Sequence, residues 1–298
     1  MKILFISNGD FPDLQSDMIL HGLKSLFGKD VIDVNQCWYM YKDLKEKYWD
    51  ERIPNNGKSY GMGFTISGLL DNLDIDRTNI KERIYNKEFD FIIFGSIQRC
   101  KDNLDLVLKC YPKEKIIFID GQDQTDIIWE LVDNGIYCKR ELIYNNENIF
   151  PINFCIPKEK IYIGETNKNL KLATIIPGNL ETYIYDNELD YYKGYQDAYF
   201  GMTFRKGGWD CLRHYEILMN KCIPYFINIE KCPKRTLTLF PKDLCIEVNN
   251  LINENKITDD NYYDLLTNFL YILKNNLTTI KVAEQILNYT KLGKQKQQ

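Results

Sequence analysis

Short, almost wholly apolar runs that alternate with amphipathic stretches constrain this chain more than any other feature. Lys2–Ser7 carries Ile, Leu, Phe and Ile in succession, then breaks at Asn8-Gly9-Asp10-Phe11-Pro12. Such a run reads as a buried strand, and the turn cluster ends it. Ser16–Phe27 follows, with Met18, Leu20, Leu23, Leu26 and Phe27 as the apolar positions of a helix, and Gly28 suits its C-terminal cap. Val31–Val34 is a second short strand. Strand, helix and strand in that order indicate a parallel α/β unit.

The alternation continues along the chain. Phe89–Gly95 and Lys115–Ile119 read as strands, and Leu104–Cys110 and Thr125–Val132 as helices. Tyr41–Tyr48 suits a short helix and Asn55–Gly63 a flexible loop. Gly57, Gly61 and Gly63 lack the spacing and the preceding strand of a dinucleotide fingerprint. Pro151–Lys168, with Pro157 and Gly164 as breakers, is an inter-domain passage. Leu170–Ile176 opens a second α/β unit, which continues through a Tyr-rich helix at Asp186–Ala198 and strands at Tyr199–Thr203 and Ile223–Ile227. Cys232–Pro241 reads as a loop, and Asp260–Asn275 and Thr278–Thr290 as helices by periodicity. The expected fold is α/β with two Rossmann-like doubly wound domains. Residues 1–150 form the first and 151–275 the second, and 276–298 form a final helix and a polar tail.

Composition excludes several classes. A 298-residue chain is long enough for two ordinary domains, and 44% hydrophobic with 27% charged residues fits a globular protein. The net charge is −4 with mixed signs and no basic stripe, so no nucleic-acid partner is expected. No segment reaches the about 18 consecutive apolar residues that would suggest a membrane span, and Met-Lys-Ile-Leu-Phe-Ile-Ser is too short an apolar run for a signal peptide. Nine cysteines stand singly without C-x-x-C spacing, which argues against disulfides or a zinc site and for a reducing, cytoplasmic setting. Asp74-Ile-Asp76 follows no strand signal and is not a metal motif, so no metal is expected.

The chemistry concentrates in Phe204–Phe226. Lys206-Gly207-Gly208 lies between a strand and a helix, where glycines let backbone amides approach a phosphate and the lysine adds a mobile charge. Asp210 can cap a helix beginning near Trp209, whose N-terminus carries partial positive charge. Trp209, Arg213, Glu216 and Asn220 then form one stripe, with Leu212, Tyr215, Leu218 and Met219 as the apolar face. Arg213 can grip a diphosphate with its planar fork, and Glu216 can accept from ribose hydroxyls. The competing reading is an Arg–Glu pair on a surface helix, worth a few tenths of a kcal/mol.

Gly207-Gly-Trp-Asp-Cys-Leu-Arg-His-Tyr-Glu216, running on into Asn-Lys-Cys-Ile-Pro-Tyr-Phe226, resembles the nucleotide-sugar motif of GT-B glycosyltransferases, closest to the exostosin-like pattern. The likeness covers about thirty residues well, and the N-terminal half only in its α/β pattern. Lys221 departs from it, standing where that family usually has Gly, so Asn220 or Lys221 must make the tight helix exit. The resemblance implies two domains facing a cleft and a nucleotide-diphosphate sugar as donor in the second, with Arg213 on the diphosphate and Glu216 on the ribose. It also implies an acceptor on the first domain and a final helix that crosses back to it. The acceptor class, whether glycan, lipid-linked or protein, stays open.

For a base on the acceptor side, Asp10 and Asp120 have the best placement, at strand carboxyl ends; Asp17, His21 and Asp123 are further candidates. His214 either reaches the phosphate or leaving group or packs as an ordinary helix residue. Lys139-Arg140-Glu141 either lines the cleft or is solvated, and Lys234-Arg235-Thr236 can contact phosphate or acceptor. The expected activity is metal-independent sugar transfer to a hydroxyl. A non-catalytic sugar-nucleotide-binding protein and a nucleotide-sugar epimerase are the alternatives.

Overall fold

The computed structural model describes residues 1–9, 11–44 and 64–295. Asp10, the glycines of the 55–63 loop and residues 45–48 of the expected Tyr41–Tyr48 helix lie outside them. The first sheet contains β1 (Ile3–Ile6), β2 (Val31–Asp33), β3 (Phe91–Phe94), β4 (Ile116–Asp120), β5 (Ile136–Lys139) and β6 (Ile149–Pro151). All pair in parallel, in the order β2-β1-β3-β4-β5-β6. Alternate residues of β1 feed separate cores: Ile3 and Phe5 join one, Leu4 and Ile6 the other. A strand with both faces in apolar cores cannot alternate polar and apolar residues, which explains the unbroken Ile-Leu-Phe-Ile run.

Helices cover both faces. On the Leu4 side lie α2 (Ile80–Tyr85), α3 (Leu104–Cys110) and α4 (Trp129–Val132), through Ile80, Ile84, Val107, Leu131 and Val132. On the Phe5 side lies α1 (Leu14–Phe27), through Met18, Ile19, Leu20 and Leu23. Asp13 caps α1 by accepting from Ser16 N, and Gly28 ends it with φ of 54°. The sheet is doubly wound and Rossmann-like.

The second sheet is smaller, with β7 (Leu170–Leu172), β8 (Ala198–Thr203) and β9 (Ile223–Phe226) in parallel order β7-β8-β9. Around it lie α5 (Glu188–Gln196), α6 (Leu212–Met219), α7 (Lys242–Asn253) and α8 (Asp259–Asn276). Phe200, Leu212, Tyr215, Phe226 and Tyr262 belong to the same continuous apolar cluster as Phe5 and Leu23, so the two sheets share one core. The last helix, α9 (Thr279–Gln295), packs along α1. Gly22 lets the Thr279 carbonyl come close enough that a Cβ would overlap it, and His21 Nδ1 meets Thr279 Oγ1 at 2.9 Å. No described helix is long and apolar enough to cross a membrane.

Four elements lack a clear sequence signal: α2, β5, β6 and α7. Gly135 reads as a turn before β5, and the Asn residues at 249, 250 and 253 dilute the helical pattern of α7. The expected Thr125–Val132 helix shrinks to one turn at Trp129–Val132, because Ile127 and Ile128 are β-branched and the preceding loop is held elsewhere. The helix exit before β9 is made by Lys221, which adopts φ of 56° and anchors its ammonium on the Gly164 carbonyl at 2.6 Å.

Gly22→Ala should loosen the α1–α9 contact. A loss of about 1–3 kcal/mol in denaturant unfolding is expected.

Candidate functional site

The loop leaving β8 exposes Arg205, Lys206 and Gly207 and buries Gly208, Trp209 and Asp210. Lys206 N donates to Gly208 O at 3.2 Å, closing the turn. The helix starts at Leu212, later than expected, and its N-cap is Cys211, which makes no side-chain capping bond. Asp210 is not the cap. Its fully buried carboxylate turns inward and accepts from Phe154 N at 2.9 Å, Asn153 Nδ2 at 3.3 Å and Tyr215 OH at 2.9 Å. Burial pushes this carboxyl up to about 7.

The buried amides of the turn already hold an anion. Trp209 N and Asp210 N each donate to the Glu141 carboxylate at 2.9 Å. The two glycines make room for acidic side chains: a Cβ on Gly208 would lie 2.5 Å from Glu141 Oε1, and one on Gly207 would overlap Asp123. Arg140 ties the assembly together. Its guanidinium donates to Gly121 O at 3.0 and 2.8 Å, to Asp210 O and to Asp123, and lies 4.6 Å from the Phe154 ring centroid. Lys139-Arg140-Glu141 is therefore buried against the loop rather than solvated.

Along α6 the expected open stripe is mostly buried. Glu216 accepts from Thr65 Oγ1 and Tyr191 OH, both at 2.6 Å, and burial raises its carboxyl above the usual range. Thr65 also meets Tyr192 OH at 2.7 Å. Arg213 is half-buried, and its one hydrogen bond among the described residues is a long 3.5 Å approach of Nη1 to Thr203 Oγ1. Arg205 lies 5.7 Å from the Trp209 ring centroid. His214 is fully buried and held down to about 3 by that burial, so it is neutral. Its Nε2 donates to Trp209 O at 2.8 Å, and its Nδ1 accepts from Thr203 Oγ1 at 2.8 Å. The tautomer follows from the carbonyl, which can only accept. In this arrangement His214 pins the loop to the end of β8 and has no proton to exchange with a ligand.

Asp120 sits at the carboxyl end of β4 as expected, but it is fully buried and saturated. It accepts from Lys139 Nζ at 2.9 Å, Tyr137 OH at 2.6 Å, Gln98 Nε2 at 3.0 Å and Gln122 N at 3.2 Å. Asp17 accepts from Tyr39 OH at 2.6 Å, and His21 Nε2 meets Glu159 at 2.8 Å; both sit on α1, and among the described residues neither is hydrogen-bonded to the β8 loop. Arg235 donates to the carbonyls of Tyr144, Asn146 and Ile149, which fixes the 234–236 segment as a clamp on the first sheet. The structure thus joins Gly207, Gly208, Trp209 and Asp210 to Asp123, Arg140 and Glu141. It also adds Thr65 and Tyr191 around Glu216. Thr65 lies in a stretch without periodicity, and the tyrosine-rich composition of 188–196 marked only a helix.

Comparison with protein-family models, curated proteins and solved structures returns no match.

Two outcomes follow from the buried groups. Glu141→Gln places an amide NH₂ where the two backbone amides require acceptors, so unfolding free energy should drop by about 1–3 kcal/mol. His214 and Asp210 impose opposite pH slopes. The lowered His214 pKa contributes stability above the ordinary 6.5 that is lost as pH falls toward about 3. The raised Asp210 pKa contributes stability below the ordinary 3.8 that is lost as pH rises through about 7. Asp210→Asn removes only the second slope, so urea midpoints of that variant should fall more steeply on acidification through this window than those of the native chain.

Proposed function

We propose that this chain is a GT-B-type glycosyltransferase that holds a nucleotide-diphosphate sugar at the loop and helix after β8. It passes the sugar to an acceptor hydroxyl without a metal. One observation carries the proposal. Arg77, Arg83, Arg99, Arg140 and Arg235 each have a carboxylate or carbonyl partner. Among the described residues, Arg205 and Arg213 have neither, and both flank the glycine turn at the carboxyl end of a parallel strand. In a chain of net charge −4, arginines left without an acid are placed for an external anion. Exposed Lys206 adds a third cation.

The ribose role of Glu216 rests on its helical spacing from Arg213, and ribose hydroxyls would take it up by displacing Thr65 Oγ1 or Tyr191 OH from the buried carboxylate. The Trp209 and Asp210 amides belong to Glu141, so the diphosphate is met by side-chain cations rather than by those amides. Nine free cysteines, most of them buried, fit a cytoplasmic setting. A second reading is favoured by a separate observation: Asp120 and His214 are both buried and fully hydrogen-bonded, which suits a protein that binds a sugar nucleotide without turning it over.

Thermal unfolding of the native chain across UDP-, GDP-, ADP-, CMP- and dTDP-linked sugars tests the binding claim, because a ligand stabilises the fold as its concentration exceeds Kd. One nucleotide class should raise the midpoint, and Arg213→Ala should weaken its binding by about tenfold or more. Absence of any shift overturns the donor site. Donor hydrolysis that disappears in Arg213→Ala supports the transferase, and binding without hydrolysis or transfer supports the second reading.

A further inference from the structure

The order β2-β1-β3-β4-β5-β6 has its topological switch point between β1 and β3, whose following helices lie on opposite faces of the sheet. Parallel sheets open a crevice outside the strand carboxyl ends at such a point. Here a cavity of about 700 Å³ lies between the loops after β1, β2 and β3, lined by Gly9, Asn35, Arg99 and Lys101 among others. A second cavity of about 290 Å³ lies between the loops after β3, β4 and β5, lined by Gln98, Arg99, Gln122, Gln124, Asp126 and Lys139.

Arg99 lines both cavities. Its Nη1 is tethered at 3.1 Å to Asp13, a buried carboxylate that also caps α1 and accepts from Ser96 Oγ at 2.5 Å. The side chain is 47% exposed, and its Nε and Nη2 have no partner among the described residues. Asp13 therefore fixes the direction of the guanidinium and leaves one edge of the fork open. Exposed Lys101, with no carboxylate paired to it among the described residues, adds a second cation on the wider side.

The frame is built before any ligand arrives. Asn35 Nδ2 donates to Ser7 O at 2.8 Å and to Asp102 at 3.2 Å, joining the three loops. On the narrow side Gln98 spends its amide NH₂ on Asp120 at 3.0 Å, which directs its carbonyl oxygen elsewhere. Gln122, Gln124 and Asp126 complete a wall able to both donate to and accept from hydroxyls.

We propose that this crevice, centred on Arg99, binds a small polyhydroxylated anion. The carboxylate or phosphate meets the open guanidinium edge, and the hydroxyl-bearing body sits against Gln98, Gln122 and Gln124. The site stands whether or not the loop after β8 holds a nucleotide, because it shares neither Arg205 nor Arg213 with that loop.

Calorimetric titration of the full chain with glucuronate, with the phosphate ester of glucose at its primary hydroxyl, with inorganic phosphate and with glucose tests it. At least one of the two hydroxylated anions should bind about tenfold or more tighter than neutral glucose, and which one binds identifies the anionic group. Arg99→Lys keeps a charge on Asp13 but removes the fork, and should weaken that binding by about tenfold, while Arg213→Ala leaves it unchanged. Should Arg99→Lys fail to fold, the side-chain amide resonances of Gln98 and Gln124 in the native protein should move on titration. Binding indifferent to Arg99→Lys, loss of binding in Arg213→Ala, glucose binding as tightly as the anions, or no binding and no amide shifts at millimolar concentration each overturns the proposal. A response to inorganic phosphate alone, with neither sugar anion bound, also overturns it.

Discussion

Arg140 is the interaction on which the rest of the structure depends. It leaves the carboxyl end of β5 almost fully buried, and its guanidinium donates to Gly121 from the first sheet and Asp210 from the second. A buried cation of this kind is tolerable only when its donors all find acceptors. Asp123 and the two carbonyls supply them, and Phe154 covers its face. Glu141, the next residue, closes the other half of the contact by accepting from Trp209 and Asp210. The position of the glycine loop relative to the first sheet follows from these two adjacent side chains.

That contact changes what the loop can do. A glycine turn with free amides is an anion site in its own right. Here the buried amides are satisfied from within, and the glycines serve the close approach of Asp123 and Glu141. What remains available for an anion is the set of side chains that the internal network does not use, namely Arg205, Lys206 and Arg213. Asp210 and His214 are drawn into the same network and act as supports, one turned inward beneath the loop and the other bridging the loop to β8.

Much of the fold was legible because strand burial in a parallel sheet leaves a local signature. Ile3–Ile6, Phe91–Phe94 and Ile116–Ile119 are apolar on both faces, Leu104–Cys110 and the tyrosine-rich stretch around Glu188–Gln196 read as helices, and the two last helices show from their own periodicity. The loop, the helix and the strand of Phe204–Phe226 were legible for the same reason, whereas the tight exit, narrowed beforehand only to Asn220 or Lys221, is decided for Lys221 by its positive φ. The site was less so. The helical spacing of Arg213 and Glu216 is local, whereas Thr65 is 151 residues from Glu216 in sequence and Glu141 is 68 residues from Trp209. Nothing in the immediate neighbourhood of either residue announces its partner.

By itself the sequence determined the α/β alternation, the buried strands and a cluster of cations around a glycine turn, because each depends on residues within a few positions of one another. Only the tertiary structure decided that Lys139-Arg140-Glu141 is buried, that Asp120 and His214 are saturated, and that the two arginines after β8 have no carboxylate or carbonyl partner among the described residues. Whether a polar side chain is a ligand group or a support depends on which donors and acceptors reach it from distant loops. Burial then makes each of those pairings obligatory.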